Sequence, residues 1–95
     1  MQPRILHLHV KHAYFFMAKN WGKIDEYRVV NEYWKKRLLN REYDEIHYYD
    51  GYPPKTEKTR VIKFKFSGVD VKTIVHEQFG PEPVVVYAIS LRERI

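Results

Sequence analysis

Gly22-Lys23-Ile24-Asp25-Glu26-Tyr27-Arg28 carries the densest chemistry in the chain. Read as the entry to a strand, it sets Glu26 and Arg28 on one face about 7 Å apart, with Asp25 and Tyr27 on the other. Lys23 then stands at the strand's mouth, where its ammonium reaches the same space. A guanidinium grips a phosphate or a carbonyl edge through two donors, a carboxylate accepts from an amino group, and an ammonium adds a mobile charge. Together the three suit a nucleotide. By spacing alone they also describe a surface ion-pair ladder.

The rest of the composition leans the same way. Seventeen Lys and Arg against twelve Asp and Glu give a formal charge of +5, which favours anionic partners through long-range attraction and counterion release. The excess is clustered: Lys55, Lys58, Arg60, Lys63 and Lys65 face only Glu57, and Lys35, Lys36, Arg37 and Arg41 form a second group. Eleven of the fifteen aromatic residues fall between Tyr14 and Tyr52, interleaved with these cations. That mixture lets unpaired bases lie on rings while cations hold phosphates. A small domain also fills its interior with such rings, so about half of them are expected in the core.

Positioning these groups falls to a chain of 95 residues, enough for one core and one domain over 1–95. The mean hydropathy of −0.59 and the lack of an apolar run near the roughly 18 residues of a bilayer span argue for a soluble protein and against a membrane partner. MQPRILHLHV lacks the pattern of a secretory signal, so a cytoplasmic location is expected. Without cysteine there is no disulfide, thiolate metal site or cysteine nucleophile.

Alternation over Arg4 to Val10 reads as a strand. Ala13, Phe16 and Met17 at i, i+3 and i+4 read as a short helix, about 11–20, ended by Asn20 and Gly22. Ile24 to Val30 is a second strand. Asn31 caps a second helix, with Trp34 and Leu38 inward and Lys35, Lys36 and Arg37 in water, closed near Asn40. Asp44 to Asp50 alternates Ile46 and Tyr48 against His47 and Tyr49, before the turn Asp50-Gly51-Tyr52-Pro53-Pro54. From Arg60 the pattern is β: Ile62, Phe64 and Phe66 share a face, Gly68 marks a bulge or bend, and Val69, Val71, Thr73 and Val75 continue. After Gly80-Pro81-Glu82-Pro83, Val84 to Leu91 reads as a central strand buried on both faces. The order β-α-β-α-β-β-β-β predicts an α+β fold, with two short helices in the N-terminal half and a mainly antiparallel, curved sheet forming a small barrel.

Lys23-x-x-Glu26-x-Arg28 after a short helix, preceded by the strand Ile5-Leu6-His7-Leu8, resembles the signature of the ASCH domain, a relative of the PUA-like RNA-binding barrels. The resemblance runs through nearly the whole chain, to Val86-Tyr87-Ala88-Ile89 at the final strand. The family usually keeps one residue between its glycine and lysine, whereas Gly22 and Lys23 are adjacent here. The resemblance implies a PUA-like barrel with a cleft at its mouth that takes RNA or a modified nucleoside. Some small members are hydrolases that remove acyl groups from cytidine derivatives, using a lysine with a threonine where Glu26 stands, and another is a ribonuclease. Glu26 cannot supply that hydroxyl.

The leading expectation is therefore an RNA- or nucleotide-binding domain, with Lys23, Glu26 and Arg28 in the cleft and Tyr27, Trp21 or Tyr52 as stacking walls. Lys35, Lys36, Lys63 and Lys65 would hold phosphate. The alternative is a small hydrolase with Lys23 as base or nucleophile and Glu26 orienting it; a third is a protein-interaction module with a Tyr-rich surface. His7, His9, His12 and His47 lack the spacing of a zinc site, and neither a Gly-x-Ser-x-Gly elbow nor a phosphate-cradling loop occurs, so no metal and no cofactor are expected. His76, Glu77 and Glu82 lie near the Gly80 break, where one carboxylate could reach the cleft.

Overall fold

The computed structural model describes residues 2–95. Six strands and two α-helices follow the expected order: β1 (Ile5–Val10), α1 (His12–Asn20), β2 (Asp25–Val29), α2 (Glu32–Leu38), β3 (Glu45–Asp50), β4 (Val61–Lys65), β5 (Val69–Ile74) and β6 (Val84–Ser90), with a 3-10 turn over Glu77–Phe79. Among the described residues no helix is long and apolar enough to cross a membrane.

The strands form two three-stranded sheets, β1-β3-β4 and β2-β6-β5, rather than one closed barrel. The first contains a pairing that alternation did not reveal: β1 and β3 run parallel, with His7 opposite His47 and His9 opposite Tyr49. Parallel neighbours need a long crossover, and residues 11–44, carrying both helices and β2, supply it. In the second sheet β6 lies between β2 and β5, and its run Val86, Tyr87, Ala88 and Ile89 is buried throughout, as expected of a strand covered on both sides. The outer strand β5 leaves Val71 exposed.

A C-terminal segment joins the sheets on one side. Leu91 N–H donates to Ile24 O, then Lys65 N–H donates to Glu93 O and Ile95 N–H to Lys63 O, extending the β4 edge. On the other side β1 and β2 share no ladder. The two sheets are not joined there, and the Arg28 guanidinium donates to His9 O (3.2 Å) in place of a backbone bond.

Leu6, Leu8, Ile46, Tyr48, Ile62 and Phe64 from the first sheet meet Tyr87, Ile89 and Leu91 in the core. Helix α1 joins through Phe15 and Ala18, whereas Phe16 is exposed, so its inward face is turned from the Ala13-Phe16-Met17 stripe expected. Helix α2 follows expectation in its cap and core: the Asn31 side chain accepts from Trp34 N–H (2.9 Å), Leu38 is buried, and Asn40 adopts a left-handed conformation just beyond the end. Arg37, expected in water beside Lys35 and Lys36, is instead half-buried over the Tyr33 ring.

Candidate functional site

Glu26 is the one buried charged residue among those described, its side chain 3% exposed. Strand β2 turns it inward because positions 26 and 28 share a face while Asp25 and Tyr27 take the other. Isolated there, a carboxylate would be prohibitively costly, and each of its oxygens is accordingly engaged. Oε1 accepts from the Tyr48 hydroxyl (2.9 Å) and lies 3.4 Å from Lys23 Nζ; Oε2 lies 2.9 Å from an Arg28 terminal nitrogen. Lys23, Glu26 and Arg28 are thus brought together as expected, around a carboxylate that organises both cations.

Aromatic rings complete the setting. Lys23 Nζ stands 4.8 Å from the centroid of Tyr14 and 5.8 Å from that of Tyr27, and Arg28 lies over Trp34 at 4.8 Å. Ring faces attract cations most when water is excluded, and the Lys23 and Arg28 side chains are only 9% and 18% exposed. Arg28 Nε is a buried donor with no protein acceptor. Burial pushes the Tyr48 hydroxyl far above the ordinary phenol range, with the Glu26 charge adding to the shift, so it stays a hydrogen-bond donor. Tyr14 is raised too, by burial first and then by Glu77 and Glu26.

A cleft of about 360 Å³ opens where β1 and β2 fail to pair. Glu26 and Arg28 line it, with His9, Val10 and Lys11 from the end of β1, Tyr14 from α1, and Gln78 and Phe79 from the 3-10 turn. Lys23 does not line it. The segment near the Gly80 break does reach the cleft, through Gln78 and Phe79 instead of a carboxylate; the His76 ring caps this turn by accepting from Gln78 N–H (3.1 Å).

The expected stacking walls fare differently. Tyr27 faces away from Glu26, its ring edge-on to His76 at 5.6 Å. Trp21 is 71% exposed against Phe16, outside the cleft. Tyr52 is 82% exposed and stacks on His9. Lys63 lines a separate groove and Lys65 is exposed on β4. Tyr14, Tyr48 and Trp34 are the site residues sequence reasoning missed. Tyr48 carried a usable signal: a tyrosine inward beside Ile46 must find a partner for its hydroxyl.

The histidines form no metal centre: among the described residues no group of three or more His, Cys, Asp or Glu is disposed to hold an ion. They are engaged singly, His7 Nδ1 with Tyr49 Oη (2.8 Å), His9 Nδ1 donating to Gly51 O (2.8 Å) and His12 Nδ1 with Asp50 (2.8 Å). His7 is held below the usual imidazole range by burial and, less strongly, by His47 and His9. Its folded pKa being lowered, the unfolded chain binds more protons just below pH 6.5, so stability falls as pH drops through that value. An NMR titration is expected to place the His7 midpoint under 6.5, and His7→Gln to soften the acid limb of the stability profile; a midpoint at or above 6.5 contradicts this.

No family model, curated protein or solved structure matches the chain.

Proposed function

We propose that this chain is a cytoplasmic PUA-like domain of ASCH type that binds RNA or a nucleotide-like ligand in the Glu26–Arg28 cleft. The observation that carries the reading is a guanidinium held against a buried carboxylate at a concave opening. A guanidinium so placed can donate to a base carbonyl or a phosphate oxygen that enters the opening. Oε1 of Glu26 accepts from Tyr48, while Oε2 meets Arg28 as an ion pair, so the carboxylate keeps acceptor capacity for an exocyclic amino group. Lys11 at the rim and a net charge of +5 favour an anion.

Binding is favoured over turnover. A lysine serves as base or nucleophile only as the free amine within reach of substrate, whereas Lys23 is ion-paired to Glu26, lies over Tyr14 and is absent from the cleft wall. The test is a titration of cytidine 5′-monophosphate and short single-stranded RNA across a salt series, beside a turnover screen of acylated cytidines and RNA. Saturable binding that weakens with salt, without turnover, is expected. Turnover abolished by Lys23→Ala would replace this reading with the hydrolase; no binding at any salt would dismiss it.

A further inference from the structure

The β1-β3-β4 sheet has a second face. Leu6, Leu8, Ile46, Tyr48, Ile62 and Phe64 turn to the core, so His7, His9, His47, Tyr49 and Lys63 turn outward. Helix α1 packs on the inward face, where Phe15 stacks on Tyr48, and does not cover these rings. Four of the outward rings stack in a column. His7 and Tyr49 lie 5.8 Å apart at 21°, Tyr49 and His9 4.6 Å apart at 13°, and His9 and Tyr52 4.2 Å apart at 10°. Register produces it: His9 and Tyr49 are partners in the parallel ladder, and the turn after β3 brings Tyr52 back over His9.

The column is held before any ligand arrives. The Tyr49 hydroxyl is bonded to the His7 ring, and the His9 ring donates to Gly51 O, which fixes its plane. It ends on Tyr52, which rests one face against His9 and is 82% exposed. Rings stacked only to hide apolar surface would not leave a tyrosine at the end in water. A flat, exposed ring at the end of a column is what another flat ring stacks on.

Beside the column, and sharing Tyr49 with it, runs a groove of about 590 Å³. Lys55, Lys58, Lys63 and Arg94 line it against one acidic side chain, Glu57, which is already engaged by Thr59. No residue is common to this groove and the Glu26–Arg28 cleft.

We propose that this face is a landing surface for single-stranded RNA: an unpaired base extends the ring column on Tyr52, and the adjoining phosphates lie along Lys55, Lys58, Lys63 and Arg94. The proposal rests on the nucleic-acid reading of the domain, yet Tyr52, Lys55, Lys58, Lys63 and Arg94 are not cleft residues; His9, behind Tyr52, is shared by the column and the cleft. A duplex is disfavoured because its base faces are already stacked, and the imidazole Nε2 of His9, whose Nδ1 is committed to Gly51 O, is left to pair with a ribose hydroxyl.

Fluorescence anisotropy with a ten-nucleotide single-stranded RNA and the full chain tests this. Tyr52→Ala is expected to weaken binding about ten-fold or more, with Tyr52→Trp near the parent. Lys55→Ala/Lys58→Ala/Lys63→Ala should flatten the salt dependence by about 2 in log–log slope. All four side chains are exposed or border open groove, and circular dichroism checks that the variants fold. Decamer binding unchanged in both variants overturns the proposal, as does equal binding of duplex RNA or tighter binding of the deoxy decamer. Tyr52-dependent decamer binding without cytidine monophosphate binding upholds this surface and removes the cleft; the reverse pattern upholds the cleft and removes this surface.

Discussion

Glu26→Ala is expected to destabilise the fold by about 3–5 kcal/mol, seen as a lower urea midpoint at unchanged slope. The substitution removes the shared counter-charge of Lys23 and Arg28, whose side chains are 9% and 18% exposed, and strips the Tyr48 hydroxyl of its acceptor. Three polar groups are then stranded at once. A domain of this size has about 5–15 kcal/mol in total, so the variant should sit close to unfolding at 37 °C. The loss does not mean that the cluster is there for stability. Buried ion pairs replaced wholesale by apolar groups of similar volume are often neutral or better. The combined variant Lys23→Met, Glu26→Leu, Arg28→Met and Tyr48→Phe is therefore expected to recover most of what Glu26→Ala loses, while binding no nucleotide. A midpoint for Glu26→Ala equal to the parent's would mean that water already compensates the two cations and that the cluster is not buried in solution.

How far the sequence revealed this arrangement depends on which interactions are local. Strand alternation, the Asn31 cap and the doubly apolar run of β6 are written in neighbouring residues, and they gave the elements in order. The β2 face shared by Glu26 and Arg28 follows from the two-residue period. Partner choice between distant strands has no such local record, and the parallel union of β1 with β3, which leaves β1 and β2 unpaired at the cleft, was invisible for that reason. Helix α1 shows the limit differently. Tyr14, Phe15, Phe16 and Met17 are consecutive, so large side chains occur all round it, and only its neighbours decide that Phe15 goes inward. The aromatic-rich stretch is mixed, as its composition suggests, but which rings are core turns on tertiary packing: Tyr48 and Trp34 go to the charged cluster, Trp21 to solvent, and Tyr52 to the ring column.

Arg28→Ala is expected to reduce affinity for cytidine monophosphate and short RNA about 100-fold at fixed salt, the order expected for losing charge-assisted donors in an enclosed site. Arg28→Lys should rescue little, because one terminal nitrogen of Arg28 meets both Glu26 and His9 O, and an ammonium has no second terminal nitrogen to offer a ligand. Folding must be separated from binding. Arg28 shares Glu26 with Lys23 and Tyr48, so Arg28→Lys keeps the pair's charge and is the variant in which the fold should persist while recognition fails. The salt dependence of Arg28→Ala then says which ligand atom the guanidinium meets. If it holds a phosphate of single-stranded RNA, its removal should flatten the log–log slope by about 0.7, whereas if it reads a base edge the slope should not change. We expect no change, because Glu26 already neutralises most of the guanidinium's field at the cleft, and the free cations for phosphate lie at Lys11 and in the separate lysine-lined groove. Parent-like affinity in Arg28→Lys would reduce Arg28 to a charge without directional role.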